Sequence, residues 1–172
     1  MTAKHDAPTA DPENPGAAAG PPGPARLTPE KLWRVPSRLL VQSAAHADRI
    51  VSAGLARADA RKWHYAVLVA LAESGPGSQA TLSRWTGVYR SDLVAVINEL
   101  AERGLVERTP DPADRRRNVI TLTAQGREKL QQLDQVLADA QDDLLAPLSG
   151  AERATLTGLL ARLVEYHGDQ WT

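Results

Sequence analysis

The chain has 172 residues, a formal net charge of −1, no cysteine and 42% hydrophobic residues. This length fits one domain with a sizeable core, and the lack of cysteine excludes disulfides and cysteine-based metal or redox sites. No apolar run is long enough to span a membrane, so we expect a cytoplasmic protein. Because the whole chain is not basic, contacts with nucleic acid would require a local arrangement of charge.

The N-terminal part divides into a predicted tail and a predicted helical region. Residues 1–26 are rich in alanine, proline and glycine, which predicts a disordered tail because little surface can be buried there. Thr28-Pro29-Glu30 is typical of a helix start. Residues at three- and four-residue spacing from Leu32 to Ile50 then predict one face of a long helix in region 27–60, kinked or split by Pro36.

The middle of the chain predicts three helices. The first runs from about Arg61 to Glu73, and the glycine- and proline-rich residues 74–77 that follow it predict a turn. The second is a short helix from Gln79 to Trp85, for which Ser78 is the N-cap candidate. The third runs from about Arg90 to Arg103 and ends at Gly104. Its predicted buried stripe is Leu93, Val96, Ile97 and Leu100. The last two helices, joined by a tight glycine-containing turn, have the outline of a helix-turn-helix.

The hydrophobic period changes after this pair. Leu105–Arg108 and Val119–Leu122 are short β-prone runs, and the polar segment Pro110–Arg117 lies between them. This arrangement predicts a β-hairpin with a basic tip, and a hairpin directly after a helix-turn-helix is a wing. The predicted fold is therefore mainly α with a small β-hairpin wing, in which residues 61–123 form a winged helix-turn-helix.

Two further helices are predicted in region 124–172. Thr123 is the N-cap candidate of the first, whose leucines from Leu130 to Leu148 form a narrow seam suited to another helix. Ser149-Gly150-Ala151-Glu152 resembles a capping box that begins the last helix. The apolar seams of regions 27–60 and 124–172 are too long to be covered within one lobe. They predict an α-helical dimerisation region formed with a second copy of the chain.

The order of these parts resembles the multiple-antibiotic-resistance regulator (MarR) family over about residues 30–168. The most specific stretch, residues 111–126 (DPADRRRNVITLTAQG), is similar to that family's wing, where an Asp-x-Arg tip leads into a Leu-Thr-x-x-Gly helix start. Residues 98–108 (NELAERGLVER) resemble the end of its recognition helix. The sequence departs from the family pattern at Ala95, where members often carry a longer polar or basic residue.

The helix that begins near Arg90 is the candidate recognition helix. With Leu93, Ile97 and Leu100 inward, its outward residues are Ser91, Val94, Ala95 and Asn98, and Arg90 and Asp92 lie near its leading end. The leading end of such a helix reaches base edges, so Arg90 is expected on guanine or phosphate and Val94 on a thymine methyl. Asn98 would contact adenine if the helix lies deep enough in the groove. Candidate phosphate contacts on the preceding helix are Ser78, Gln79 and Arg84. A solvated helix face is the alternative interpretation.

The wing carries Arg115, Arg116 and Arg117, which the core does not require. Arginine inserts well into narrow, electronegative minor grooves, and the family resemblance implies Arg116 as the inserted residue. Asp114 would hold an arginine or the turn in place. The alternative is a soluble loop, which three adjacent and mutually repelling arginines disfavour.

An effector pocket is implied by the resemblance, because ligands in this family often lodge between the dimer helices and the DNA-binding lobe. The candidate lining residues are Trp33, Trp63, His64 and Tyr65, and the ligand would be a small aromatic or carboxylate compound. The alternative is that these aromatics pack the junction of the two regions. The four histidines are scattered, so we expect neither a metal site nor a cofactor.

The function expected from these features is transcription regulation by a homodimer that binds double-stranded DNA. The hypothesis is a repressor of nearby genes or its own gene that binds a palindromic operator and is released by a small-molecule effector. A winged-helix module that binds protein instead is an alternative, which the basic wing disfavours. An enzyme is a second alternative, but no acid, base and nucleophile set, phosphate loop or nucleophile elbow occurs in the sequence.

Overall fold

A computed structural model describes residues 29–111 and 117–168, which divide into one unit ending at Leu39 and another beginning at Leu40. In the first unit, helix α1 comprises Glu30–Trp33, and helix α2 (Pro36–Arg57) begins after two intervening residues. The predicted split at Pro36 is confirmed, because a residue without an N–H can begin a helix but not continue one. The predicted tail and the N-cap candidate Thr28 lie outside the described residues.

The second unit is mainly helical. It continues α2 and then contains α3 (Lys62–Ser74), β1 (Gly77–Ser78), α4 (Gln79–Thr86), α5 (Arg90–Glu102), β2 (Val106–Pro110), β3 (Asn118–Leu122), α6 (Ala124–Leu144) and α7 (Gly150–Gly168). The predicted fold class, mainly α with a small β wing, is confirmed. The predicted N-cap roles of Ser78 and Thr123 are confirmed too, because their side chains accept hydrogen bonds from Thr81 N and Gly126 N.

The sheet is antiparallel, with strand order β1-β3-β2. Strand β2 pairs with β3 from Val106 opposite Leu122 to Pro110 opposite Asn118, so it runs two residues further than predicted. A proline is tolerated there because β2 is an edge strand. The prediction of residues 74–77 as only a turn was wrong, since Gly77 pairs with Ile120 as the start of β1. A two-residue strand has no alternation of its own, and only its partner reveals it.

One hydrophobic core holds this unit together, and the predicted stripe of α5 lies at its centre. Its largest fully buried side chains are Leu55, Val67, Leu68, Leu82, Val88, Leu93, Ile97, Leu100, Ile120 and Leu133. Leu55 belongs to α2 and Leu133 to α6, two of the helices assigned from the sequence to dimerisation. These helices therefore also complete the core of the winged helix, and cutting either would open it.

The start of α6 packs against the backbone that leads into β2. Thr123 Oγ1 donates to the carbonyl oxygen of Gly104 at 2.8 Å and accepts from Gly126 N at 2.9 Å. A Cβ atom on Gly126 would lie 2.1 Å from the carbonyl oxygen of Leu105, closer than any real contact. This gives a physical reason for the Leu-Thr-x-x-Gly pattern, because only glycine lets the first turn of α6 lie this close to the backbone before β2.

Candidate nucleic-acid interface

Helices α4 and α5 are joined by a tight turn at Gly87, Val88 and Tyr89. Gly87 has a φ of 68°, the left-handed conformation that glycine adopts without strain, and its N–H bonds the carbonyl oxygen of Ser83. Val88 is buried, and Ser83 Oγ donates to its carbonyl oxygen at 2.7 Å. The turn is therefore held from both sides and fixes the direction in which α5 leaves it.

The rotation of α5 about its axis follows from its buried stripe. Leu93, Ile97 and Leu100 have no solvent exposure, and Val96 is also buried. The opposite face is exposed and carries all the predicted outward residues, namely Ser91, Val94, Ala95 and Asn98, and Arg90 at the leading end is exposed as well. Because this face covers about two and a half turns of a regular helix, it offers a continuous surface to a groove.

The N-terminal ends of α4 and α5 meet the base of the wing in a groove of about 310 Å³. Its lining residues are Ser78, Gln79, Ala80, Arg90, Val94, Arg117 and Asn118. The structure thus brings together predicted contact residues from three separate segments. Two of them are arginines, and no carboxylate lines the groove among the described residues, so its charge is positive although the whole chain is slightly acidic.

Other predicted contact residues lie elsewhere. Arg84 is exposed in the last turn of α4, at the opposite end from Ser78, and does not line this groove. Asp114, Arg115 and Arg116 lie outside the described residues. The base of the wing is described, and there Asp111 N donates to the carbonyl oxygen of Arg117 at 2.9 Å and closes the hairpin.

Two surface residues were missed by the sequence analysis. Tyr89, at the N-cap of α5, is 80% exposed beside Arg90. Arg108, on β2, is half-buried and donates from Nη2 to Oδ1 of Asn98 at 2.5 Å. Neither had a signal in the sequence, since an exposed tyrosine at a helix start has no characteristic spacing and the Arg108 contact joins a strand to a helix.

His64 lies at the centre of a polar network between α3 and α5. Its side chain is buried, its Nδ1 accepts from Arg61 N at 3.2 Å, and its Nε2 lies 2.9 Å from Glu99 Oε2. Burial is the main reason that the pKa of His64 is lowered, against the opposing effect of its bond with Glu99. The neutral ring with its proton on Nε2 satisfies both bonds, and Arg61 also pairs with Glu99.

The aromatic residues predicted to line one effector pocket point in different directions. Trp63 is exposed, whereas Tyr65 is half-buried and donates its hydroxyl to Asp134 Oδ1 on α6 at 2.9 Å. A cavity of about 390 Å³ lies beside His64, and it includes neither Trp63 nor Tyr65. Consecutive helical residues are turned by about 100°, so three in a row cannot face one small site. Trp33 is exposed in the first unit.

Helix α7 has no buried side chain. Its large exposed apolar residues are Leu159, Leu160, Leu163, Val164 and Tyr166. Patches of this kind on a folded chain usually mark an interaction surface. Within the described part of the chain, no helix is long and apolar enough to cross a membrane, and no three histidine, aspartate or glutamate side chains converge to hold a metal ion.

The fold and its basic face define the class of protein: a winged helix-turn-helix, the architecture that presents a helix to the major groove of duplex DNA. The sequence profile of the MarR family matches residues 53–117. A protein of Thauera aromatica named for transcriptional regulation of the hcr operon is 40% identical over 99 residues. The match covers 58% of this chain and 60% of the Thauera protein. The repressor NicR of Pseudomonas putida is 30% identical over 101 residues, 59% of this chain and 64% of NicR. The chain thus spans less than two thirds of either relative.

Solved structures share the fold over most of the chain. A mutant of Escherichia coli MarR in complex with operator DNA has a TM-score of 0.66 and 25% identity, covering 80% of this chain and 99% of MarR. The regulator PcaV of Streptomyces coelicolor, in complex with its natural ligand, has a TM-score of 0.67 and 28% identity. The match covers 78% of this chain and 94% of PcaV. The chain belongs to the MarR family. Its relatives are transcription regulators and not enzymes, which corresponds to the expectation from the sequence.

Proposed function

We propose that this protein is a transcriptional repressor that binds a palindromic operator in double-stranded DNA as a homodimer. The observation that carries the proposal is the groove in which Ser78, Gln79, Arg90 and Arg117 converge. Two cations, a helix N-terminus and hydroxyl and amide donors form a surface suited to the phosphates and base edges of DNA. Support comes from MarR, which was solved on operator DNA, and from the repressor NicR.

The first experiment measures binding of the full-length protein to genomic DNA fragments, followed by titration of the selected duplex at several salt concentrations. We expect Arg90→Ala to weaken binding by about 1–3 kcal/mol if it contacts a base, and otherwise to flatten the salt dependence. The matched control is Arg57→Ala, which replaces an exposed arginine in the last turn of α2. If Arg90→Ala bound DNA as wild type does, the groove would not be the interface, and a protein-binding winged helix would be favoured.

The wing is proposed to contact the minor groove through Arg116, flanked by Arg115 and Arg117 near phosphates. Arg116→Ala is expected to cost about 1–3 kcal/mol per wing and to relax a preference for A·T pairs. Arg115→Ala should instead weaken all sequences alike and reduce the salt slope by about 0.9 for each phosphate that is no longer neutralised. Binding titrations of both variants test this, with melting curves as the control. Unchanged affinity in Arg116→Ala would exclude the wing from the interface.

The homodimer is proposed to form through α6 and the apolar face of α7 together with the N-terminal helices. Two recognition helices would then reach half-sites about 10 base pairs apart, centre to centre. Light scattering of the full-length protein at micromolar concentration is expected to give twice the mass of one chain. Removal of residues 149–172 should abolish the dimer, and an intact full-length monomer would contradict this architecture.

Release by an effector is the last part of the proposal. A small aromatic or carboxylate compound would bind in the cavity beside His64, and the PcaV structure with its natural ligand supports this kind of regulation. Ligand addition should change tryptophan fluorescence and lower DNA affinity, and DNA should weaken ligand binding by the same factor. A compound that binds without altering DNA affinity would contradict an effector role for the site.

A further inference from the structure

The contact between Asn98 on α5 and Arg108 on β2 bears on which base the helix selects. Asn98 is exposed and follows Arg90 and Val94 at four-residue spacing, so it extends their line into the third turn of α5. Eight residues of helix place it about 12 Å from Arg90 along the axis. Of these three residues, Asn98 is the one that bonds Arg108 on β2.

Arg108 controls which atoms of Asn98 remain available. Its Nη2 donates to Asn98 Oδ1, and this bond orients the amide so that its NH₂ group points away from Arg108. A free asparagine pairs with adenine by accepting from N6 through Oδ1 and donating to N7 through Nδ2. With a guanidinium on Oδ1, an adenine amino group could reach only the second lone pair of that oxygen, beside the N–H donors and the positive charge of Arg108, which disfavours adenine.

The inner end of the Arg108 guanidinium is buried. Its Nε is buried without a hydrogen-bond partner in the described part of the chain, and no described carboxylate forms an ion pair with it. Arg108 is thus a cation whose stem is enclosed and whose outer nitrogen is directed at Asn98. Together the two side chains offer N–H donors next to a positive charge.

We propose that Asn98, oriented by Arg108, is a specificity-determining residue that donates its amide N–H to guanine. Guanine offers two acceptors in the major groove, O6 and N7, whereas adenine offers one acceptor beside a donor. The proposal rests on the DNA-binding function proposed above. Arg108 is a positioning residue in this arrangement, because it acts through the Asn98 amide.

The test is selection of duplexes from a randomised library by the full-length protein, followed by titration of the selected duplex with each base at every half-site position. For wild type, we expect guanine at the position that Asn98 contacts. Asn98→Ala should reduce the preference for guanine there by about five- to tenfold, the effect of removing one hydrogen bond to a base. Glu102→Gln, an exposed change near the end of α5, should leave every preference unchanged.

Asn98→Asp is the decisive variant. The carboxylate keeps an oxygen on Arg108 and replaces the outward NH₂ by an acceptor, so the preferred base should change from guanine to one with an N–H donor, cytosine or adenine. Arg108→Met keeps the apolar stem and frees Oδ1, so adenine should gain relative to guanine. Preferences are compared as ratios between duplexes, so a general loss of affinity does not affect the result.

Each outcome separates this proposal from the function on which it rests. Selection of no duplex by wild type would overturn both. Duplex selection with adenine at the Asn98 position, or with no position altered by Asn98→Ala and Asn98→Asp, would overturn the role of Asn98 and leave DNA binding intact. Because Asn98 is exposed, both of its variants are expected to fold, which melting curves check. The proposal therefore does not depend on the stability of Arg108→Met.

Discussion

Two regions of this molecule use the same apolar residue types in opposite ways. In the winged helix, Leu82, Leu93 and Leu100 have no solvent exposure. In α7, Leu159 and Leu163 are 50% and 45% exposed, and no side chain of the helix is buried. The first region satisfies its apolar surface within one chain, whereas the second is complete only if something covers it. The stability of the two regions should therefore depend differently on protein concentration.

The largest expected effect comes from removing a core leucine. Leu100→Ala should lower the free energy of unfolding by about 2–5 kcal/mol, because it leaves a cavity among fully buried side chains. Leu163→Ala should act mainly on the association of two copies, so its effect on the melting temperature should be small at concentrations where the chain is monomeric and should grow to a constant value as the dimer saturates. Calorimetry over a hundredfold concentration range measures both. If both variants lowered the melting temperature equally at every protein concentration, the two regions would not differ in this way.

A second pair of substitutions compares glycines in the same two regions. Gly126→Ala should destabilise the protein by about 1–3 kcal/mol or more, since the added Cβ would collide with the backbone at Leu105. Gly158 lies in α7 with no atom near its missing Cβ, so Gly158→Ala should stabilise the protein by up to about 1 kcal/mol through helix propensity.

Chemical denaturation of both glycine variants provides the measurement. A destabilising Gly158→Ala would mean that a second copy packs closely on that side of α7. A neutral Gly126→Ala would mean that the contact between α6 and the wing is looser than the structure indicates.

The smallest expected effect is a pH dependence confined to the winged-helix unit. The pKa of His64 is lowered by burial, so below its ordinary value of 6.5 the unfolded chain binds a proton that the folded chain does not. The contribution of neutral His64 to the free energy of unfolding is fully present above about pH 6.5. It is lost as pH falls below that value, at no more than about 1.4 kcal/mol per pH unit. His64→Gln should flatten the fall in stability between pH 6.5 and 5, measured by denaturation. An unchanged slope would exclude His64 as its source.

Much of the site was predictable because its signals are local. The stripe of α5 repeats every three or four residues, and the face opposite Leu93 and Ile97 follows from it directly. Helix caps such as Ser78 and Thr123 depend on atoms three residues away. The wing was recognisable from a change of period and a run of basic residues, although β2 continued to Pro110 and β1 was not foreseen.

Contacts between elements were not predictable in this way. The bond between Arg108 and Asn98 joins a strand to a helix. His64 likewise contacts Glu99, which lies 35 positions further along the chain. The sequence alone grouped His64 with Tyr65 because they are neighbours along the chain. In the structure one faces α5 and the other α6, since successive residues of a helix point in different directions.

The amino-acid sequence by itself determined the order of the helices, the wing, the buried stripe of the recognition helix and the family. These properties arise from hydrophobic periodicity and from backbone preferences that act over a few residues. Only the tertiary structure decided that arginines from α5 and the wing share one groove, that α2 and α6 complete the core, and that Arg108 orients Asn98. Such features depend on how elements distant in the chain pack, and packing is set by the whole set of buried surfaces and not by any one segment.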